Sequence, residues 1–194
     1  MYKRQESNVP KLEGSDDISL MLRHLYKPVI CKIQGSVLAG ALLMVTNSTH
    51  AVAVEEAKFS APEILRGLWP HMVMAGLFRV MPKRAGLDFV MRGQPIDAKK
   101  AKELGLINEF VNADELDDYV NKLSEELASL APGTMSFGLE AYEKQDSLAF
   151  DEALPFLQKQ IAKTFEGPDA KEGIAIPSFA SVSYTHLRAH ETNL

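Results

Sequence analysis

The sequence is short of the features that mark several protein classes. It has one cysteine in 194 residues, Cys31, so no disulfide can close within the chain. That usage fits a reducing, cytoplasmic setting. Cys31 lies in an apolar run and reads as a small buried hydrophobe, not a nucleophile. Positive charge is not in excess: 21 Lys and Arg stand against 26 Asp and Glu, for a net charge of −5. A nucleic-acid partner or an anionic membrane surface is therefore not expected. No apolar run approaches the roughly 20 residues that span a bilayer. No apolar signal segment follows the N-terminal charges, so secretion is not expected. Internal repeats and low-complexity tracts are missing too. What remains is 46% hydrophobic and 24% charged, the balance of a globular domain.

The two ends read differently from the rest. Residues 182–192, VSYTHLRAHET, resemble the translation of a transposon adapter used in DNA sequencing libraries. Residues 1–5, MYKRQ, resemble the same adapter's mosaic end. Residues 1–5 and 181–194 are accordingly expected to be adapter-derived and are set apart from fold reasoning.

Within 6–180 the hydrophobic pattern alternates between strand and helix. Ser15 reads as an N-cap, with Asp16 and Asp17 in the first turn of a helix whose apolar face is Ile18, Met21, Leu22 and Leu25. Pro28 stops it. Residues 29–33, 50–54 and 58–60 predict buried strands, and 106–111 another. Residues 38–45 are apolar, with Ala39, Gly40 and Ala41 among them, and predict a closely packed helix. Pro70 opens a helix. Residues 82–91 and 97–104 predict two more, the second with Asp97 as N-cap and Gly105 past its end. Leu116, Val120, Leu123, Leu127 and Leu130 then mark an amphipathic helix, and helices are expected from 132 and over 148–165. The reading is an α/β core over 6–111 with a helical region over 112–180.

Three blocks give this pattern a relative. KPVICKIQGSVLAGALLMV, AKFSAPEILRGLWP and RGQPIDAKKAKELGLINEFV, in that order and spacing, resemble the enoyl-CoA hydratase/isomerase (crotonase) family. The resemblance covers residues 27–173. It implies a crotonase-like fold, a ββα superhelical core with a C-terminal helical trimerisation region, incomplete at its N-terminus. It also implies an acyl-CoA thioester as partner and a homotrimer or homohexamer as assembly. Coenzyme A arrives as part of the substrate, so no metal, nicotinamide or flavin is expected.

Members of this family polarise the thioester carbonyl with two backbone N–H groups. By the resemblance, one donor here is the N–H of Gly40. The other belongs to N-terminal units that precede this region in complete members, so residues 6–180 alone are expected to be inactive. Family hydratases hold one water between two glutamates. Glu63, after Pro62, keeps the second of these, but Leu43 stands where the first would be. One carboxylate is enough to move a double bond, so the expected reaction is enoyl-CoA isomerisation with Glu63 as base. The alternatives are a divergent hydratase or a catalytically weak acyl-CoA binder. Leu38, Ala39, Leu43, Pro62, Leu68 and His71 complete the expected substrate-binding set. Met72, Met74 and Leu77 read either as acyl-pocket lining or as core. Trp69 reads as packing.

Overall fold

A computed structural model describes residues 17–174. Ser15 and the two ends set apart above lie outside the described residues. The described residues divide into two units, one ending at Leu130 and the other beginning at Ala131.

The first unit begins with α1 (Ile18–Arg23), capped by Asp17, whose carboxylate accepts the N–H groups of Ser19 at 2.8 Å and Leu20 at 3.3 Å. Asp17, expected inside the first turn, is thus the cap itself. Next come β1 (Ile30–Ile33), β2 (Val37–Leu38), α2 (Leu42–Asn47), β3 (His50–Val54) and β4 (Lys58–Ser60). α3 (His71–Val80), α4 (Lys83–Arg92), β5 (Ile96–Asp97), α5 (Ala98–Glu103), β6 (Glu109–Val111) and α6 (Leu116–Ala128) follow.

The strands form two three-stranded sheets. β1, β3 and β6 are all parallel, in the order β1-β3-β6. In the second sheet β4 is central, parallel to β2 and antiparallel to β5. Ala51, Val52, Ala53 and Val54 of β3 are all buried, as suits a central strand covered on both faces. Asn108 registers β6 on β3. Its side-chain oxygen accepts the Ala51 N–H at 2.7 Å, and its own N–H donates to the Ala51 carbonyl at 2.9 Å. The LINEF stretch is therefore a strand-pairing device. It forms a shorter strand than 106–111, because Leu106 and Ile107 turn inward and are buried instead.

The segment 38–45 departs from the single helix its composition suggests. Leu38 ends β2, a 3-10 turn covers Ala39–Ala41, and α2 begins only at Leu42. Leu42 is fully buried, and Val45 and Thr46 nearly so. Polar side chains then stop α2. Thr46 donates to the Leu42 carbonyl, Asn47 to that of Leu43 and Ser48 to that of Val45.

α6 packs on β1 and β3 and so belongs to the first unit. The boundary between the units therefore falls after Leu130, not after 111 as the sequence pattern suggests. Leu116 of α6 is 1% exposed, and Lys32 of β1 meets Asp117 at 2.7 Å.

The second unit holds α7 (Pro132–Gln145), α8 (Phe150–Glu166) and α9 (Pro168–Ile174), each in contact with the other two. Asp169 of α9 accepts the N–H of Thr134 in the first turn of α7 at 2.8 Å. Phe150, Leu154, Ile161 and Phe165 of α8 are exposed, Phe150 at 75%.

Candidate active site

The candidate residues stand where β2 and β4 end. These strands are parallel neighbours, with Val37 opposite Phe59 and Leu38 opposite Ser60. The chain leaves β2 through Ala39 and Gly40 and leaves β4 through Ala61, Pro62 and Glu63. The register therefore delivers Gly40 and Glu63 at the same end of one strand pair. The carboxyl ends of parallel strands are where open α/β sheets bind ligands.

On the β2 side, Ala39 has φ +53°, a left-handed conformation that a residue with a Cβ seldom adopts. This bend turns the extended strand into the 3-10 turn. Gly40 sits among the turn's first residues, whose N–H groups have no acceptor inside the turn. Gly40 is exposed, and a Cβ built on it would meet nothing within 4 Å. The space beside this backbone is open.

On the β4 side, a 3-10 turn spans Pro62–Arg66, with Pro62 at its start and Gly67 closing it at φ +72°. The Glu63 carbonyl accepts the Leu68 N–H at 3.1 Å. The side chain of Glu63 is the unusual part. Its Oε2 is buried and, among the described residues, has no hydrogen-bond partner. Leaving a buried polar atom unsatisfied costs about 1–3 kcal/mol, so native proteins keep few of them.

This turn is held from below. Ser60, 3% exposed, donates its hydroxyl to the Gly93 carbonyl at 2.9 Å. Gly93, at φ +59°, ends α4 directly beneath the turn. A Cβ there would lie 2.8 Å from Ile64 Cγ2, 3.2 Å from Leu65 Cγ and 3.3 Å from the Ala61 carbonyl oxygen. The sequence reading gave Ser60 and Gly93 no role. A glycine after a helix ending in arginine is an ordinary C-cap signal, and only the fold shows what lies against it.

The other expected residues are placed as follows. Leu43 is half-buried and packs against the core. Leu38 and Leu68 are exposed, at 49% and 62%. His71 is exposed at the first position of α3, and its N–H donates to the Trp69 carbonyl at 2.9 Å. Trp69 packs against the core and donates its indole N–H to Met74 Sδ at 3.3 Å. Leu77 is fully buried, whereas Met72 is 62% exposed. Burial raises the Cys31 thiol pKa above its ordinary value, which suits a packing residue.

A family model described as enoyl-CoA hydratase/isomerase matches residues 1–179. The chain belongs to the enoyl-CoA hydratase/isomerase family. It is 29% identical to the Bacillus subtilis protein named "Probable enoyl-CoA hydratase", over 84% of this chain and 68% of that one. It is 23% identical to the rat enoyl-CoA hydratase domain-containing protein 3, mitochondrial, over 81% of this chain and 53% of that one. Among solved structures, an enoyl-CoA hydratase of Mycobacterium smegmatis superposes with a TM-score of 0.78 at 25% identity. It covers 81% of this chain and is itself covered to 62%. The human enoyl-CoA hydratase domain-containing protein 3 gives a TM-score of 0.75 at 26% identity, covering 80% of this chain and 62% of that one. The fold is that of the crotonase family. The chain spans between about half and two thirds of the length of these relatives.

Proposed function

We propose that the protein isomerises enoyl-CoA thioesters, with Glu63 as its single base. The observation that carries this reading is the buried Oε2 of Glu63, unpartnered among the described residues, at the end of the β2–β4 pair where Gly40 also lies, with a leucine at position 43. A carboxylate oxygen with no protein partner is available to a substrate proton. Hydration asks for a water held by two or more polar partners, and Leu43 gives no polar atom to that task.

The reaction balances with one carboxylate. Glu63 removes a proton from C2 of a 3-enoyl thioester. The electrons move into the thioester carbonyl, giving an enolate whose oxygen accepts the Gly40 N–H. Collapse of the enolate shifts the double bond to C2=C3, and Glu63 returns the proton at C4. A backbone donor aimed at such an oxyanion contributes about 3 kcal/mol to the transition state. The family pattern puts the second donor in units preceding this region, so residues 6–180 alone would be inactive. Ala39 would aim the Gly40 N–H, and Pro62 would set the base. Leu38, Leu43, Leu68 and His71 would border the acyl thioester.

The reading needs no metal, nicotinamide or flavin, and coenzyme A is carried by the substrate. The homotrimer or pair of trimers follows from the family resemblance, and the exposed apolar residues of α8 are compatible with self-association. A cytoplasmic location rests on the lone cysteine, while several relatives carry mitochondrial names.

The test offers the complete gene product a 3-enoyl-CoA and a 2-enoyl-CoA and follows the conjugated thioester absorbance. A rise with the first and no fall with the second is expected. A fall with the second would replace isomerisation by hydration.

A further inference from the structure

Glu63 sits on the 3-10 turn Pro62–Arg66. Its backbone is closed by Gly67 N–H to Ile64 and Leu68 N–H to Glu63, both at 3.1 Å. The end of α4 lies against this turn. The Gly93 carbonyl takes the buried Ser60 hydroxyl, one residue before Ala61. The Gly93 Cα lies so close to Ala61, Ile64 and Leu65 that no side chain fits between them. Ile64 Cγ2 branches directly from Cβ and cannot swing away as the tip of a long side chain does.

We propose that Gly93 and Ser60 are positioning residues for the base: the Ser60–Gly93 clamp sets where the Glu63 carboxylate stands. This inference rests on the reading of Glu63 as base. A group held on a turn is moved by anything that lifts the turn, and a misplacement of about 1 Å costs roughly a hundredfold in rate. Adding one carbon at Gly93 lifts the turn. Removing the Ser60 hydroxyl loosens it without adding an atom.

The experiment measures kcat and KM for 3-enoyl-CoA in the complete gene product, per folded protein. Gly93→Ala is expected to lower kcat at least about tenfold while KM stays within about twofold. Ile64→Ala placed in Gly93→Ala removes the methyl that the new Cβ meets, and is expected to restore part of kcat. Gly105→Ala is the control. Gly105 also ends a helix, at φ +78°, and a Cβ there would lie 2.8 Å from the Val80 carbonyl oxygen, away from this turn. It is expected to lose stability and keep kcat.

A folded Gly93→Ala with kcat within twofold of wild type overturns the proposal. So does a Gly105→Ala variant that loses kcat equally. If Gly93→Ala does not fold, Ser60→Ala decides: a several-fold loss of kcat at unchanged KM supports the clamp, and an unchanged kcat overturns it. Glu63→Gln in the same assay separates the two claims. Wild-type turnover there removes the base itself. An inactive Glu63→Gln beside an unimpaired Gly93→Ala removes only the clamp.

Discussion

Leu38 and Ser60 are partners across the parallel strands β2 and β4. Two residues beyond the first lies Gly40, and three beyond the second lies Glu63. Neighbouring strands run about 4.8 Å apart. The pairing thus brings Gly40 and Glu63 to the same end of one strand pair, although Leu38 and Ser60 stand 22 positions apart in the chain. The site is a consequence of register. A one-residue slip would turn the side chains of one strand to the other face of the sheet.

Ala39 marks the bend that register requires. At φ +53° it bears a strain that glycine would not. Ala39→Gly is expected to raise stability by about 1 kcal/mol, read as a higher urea midpoint at unchanged slope. A lower midpoint would mean that the Ala39 methyl packs better than its backbone suffers.

On the proposed reading, Leu43 is what favours isomerisation over hydration. Leu43→Glu supplies the second carboxylate, and consumption of 2-enoyl-CoA is expected to rise about tenfold or more relative to isomerisation. Leu43 packs against the core, so a loss of about 1–3 kcal/mol in stability should accompany the change. A folded variant with no gain in hydration would show that position 43 does not face the reacting water.

Much of the fold was legible in residue pattern. The apolar runs at 29–33 and 50–54 became β1 and β3, and the Asp97 and Gly105 signals bracket α5. Leu116, Val120, Leu123 and Leu127 lie on α6, which ends at Ala128, before the exposed Leu130. The two-residue strands β2 and β5 were not legible, because such strands are too short to show alternation. Leu38 was absorbed into a helix for the same reason. The chemistry of Glu63 was legible only through its neighbours in the family blocks. Its unpartnered oxygen and the glycine beneath its turn are products of tertiary packing and leave no local trace.

Glu109 offers a check on the scaffold away from the site. Its hydrogen bond from Lys102, at 2.6 Å, holds its carboxyl below the ordinary glutamate range. A lowered native pKa stabilises above the ordinary value of about 4.3, and the benefit is lost as pH falls through the native value. The pair is partly exposed, so solvent screening leaves about 0.5 kcal/mol. Glu109→Gln should cost that much at pH 7 and nearly nothing at pH 3, compared by urea midpoints. An equal loss at both pH values would show that packing, not charge, is what the variant removes.

In the proposed reaction one carboxylate, Glu63, moves the proton. The most direct test is Glu63→Gln in the complete gene product, with turnover of 3-enoyl-CoA and affinity for the thioester measured on the same preparation. The shape of the side chain is kept and only its basicity is lost. A fall in kcat of about a thousandfold is expected, with affinity within about twofold. Turnover within tenfold of wild type, in a variant that still binds the thioester, would contradict it.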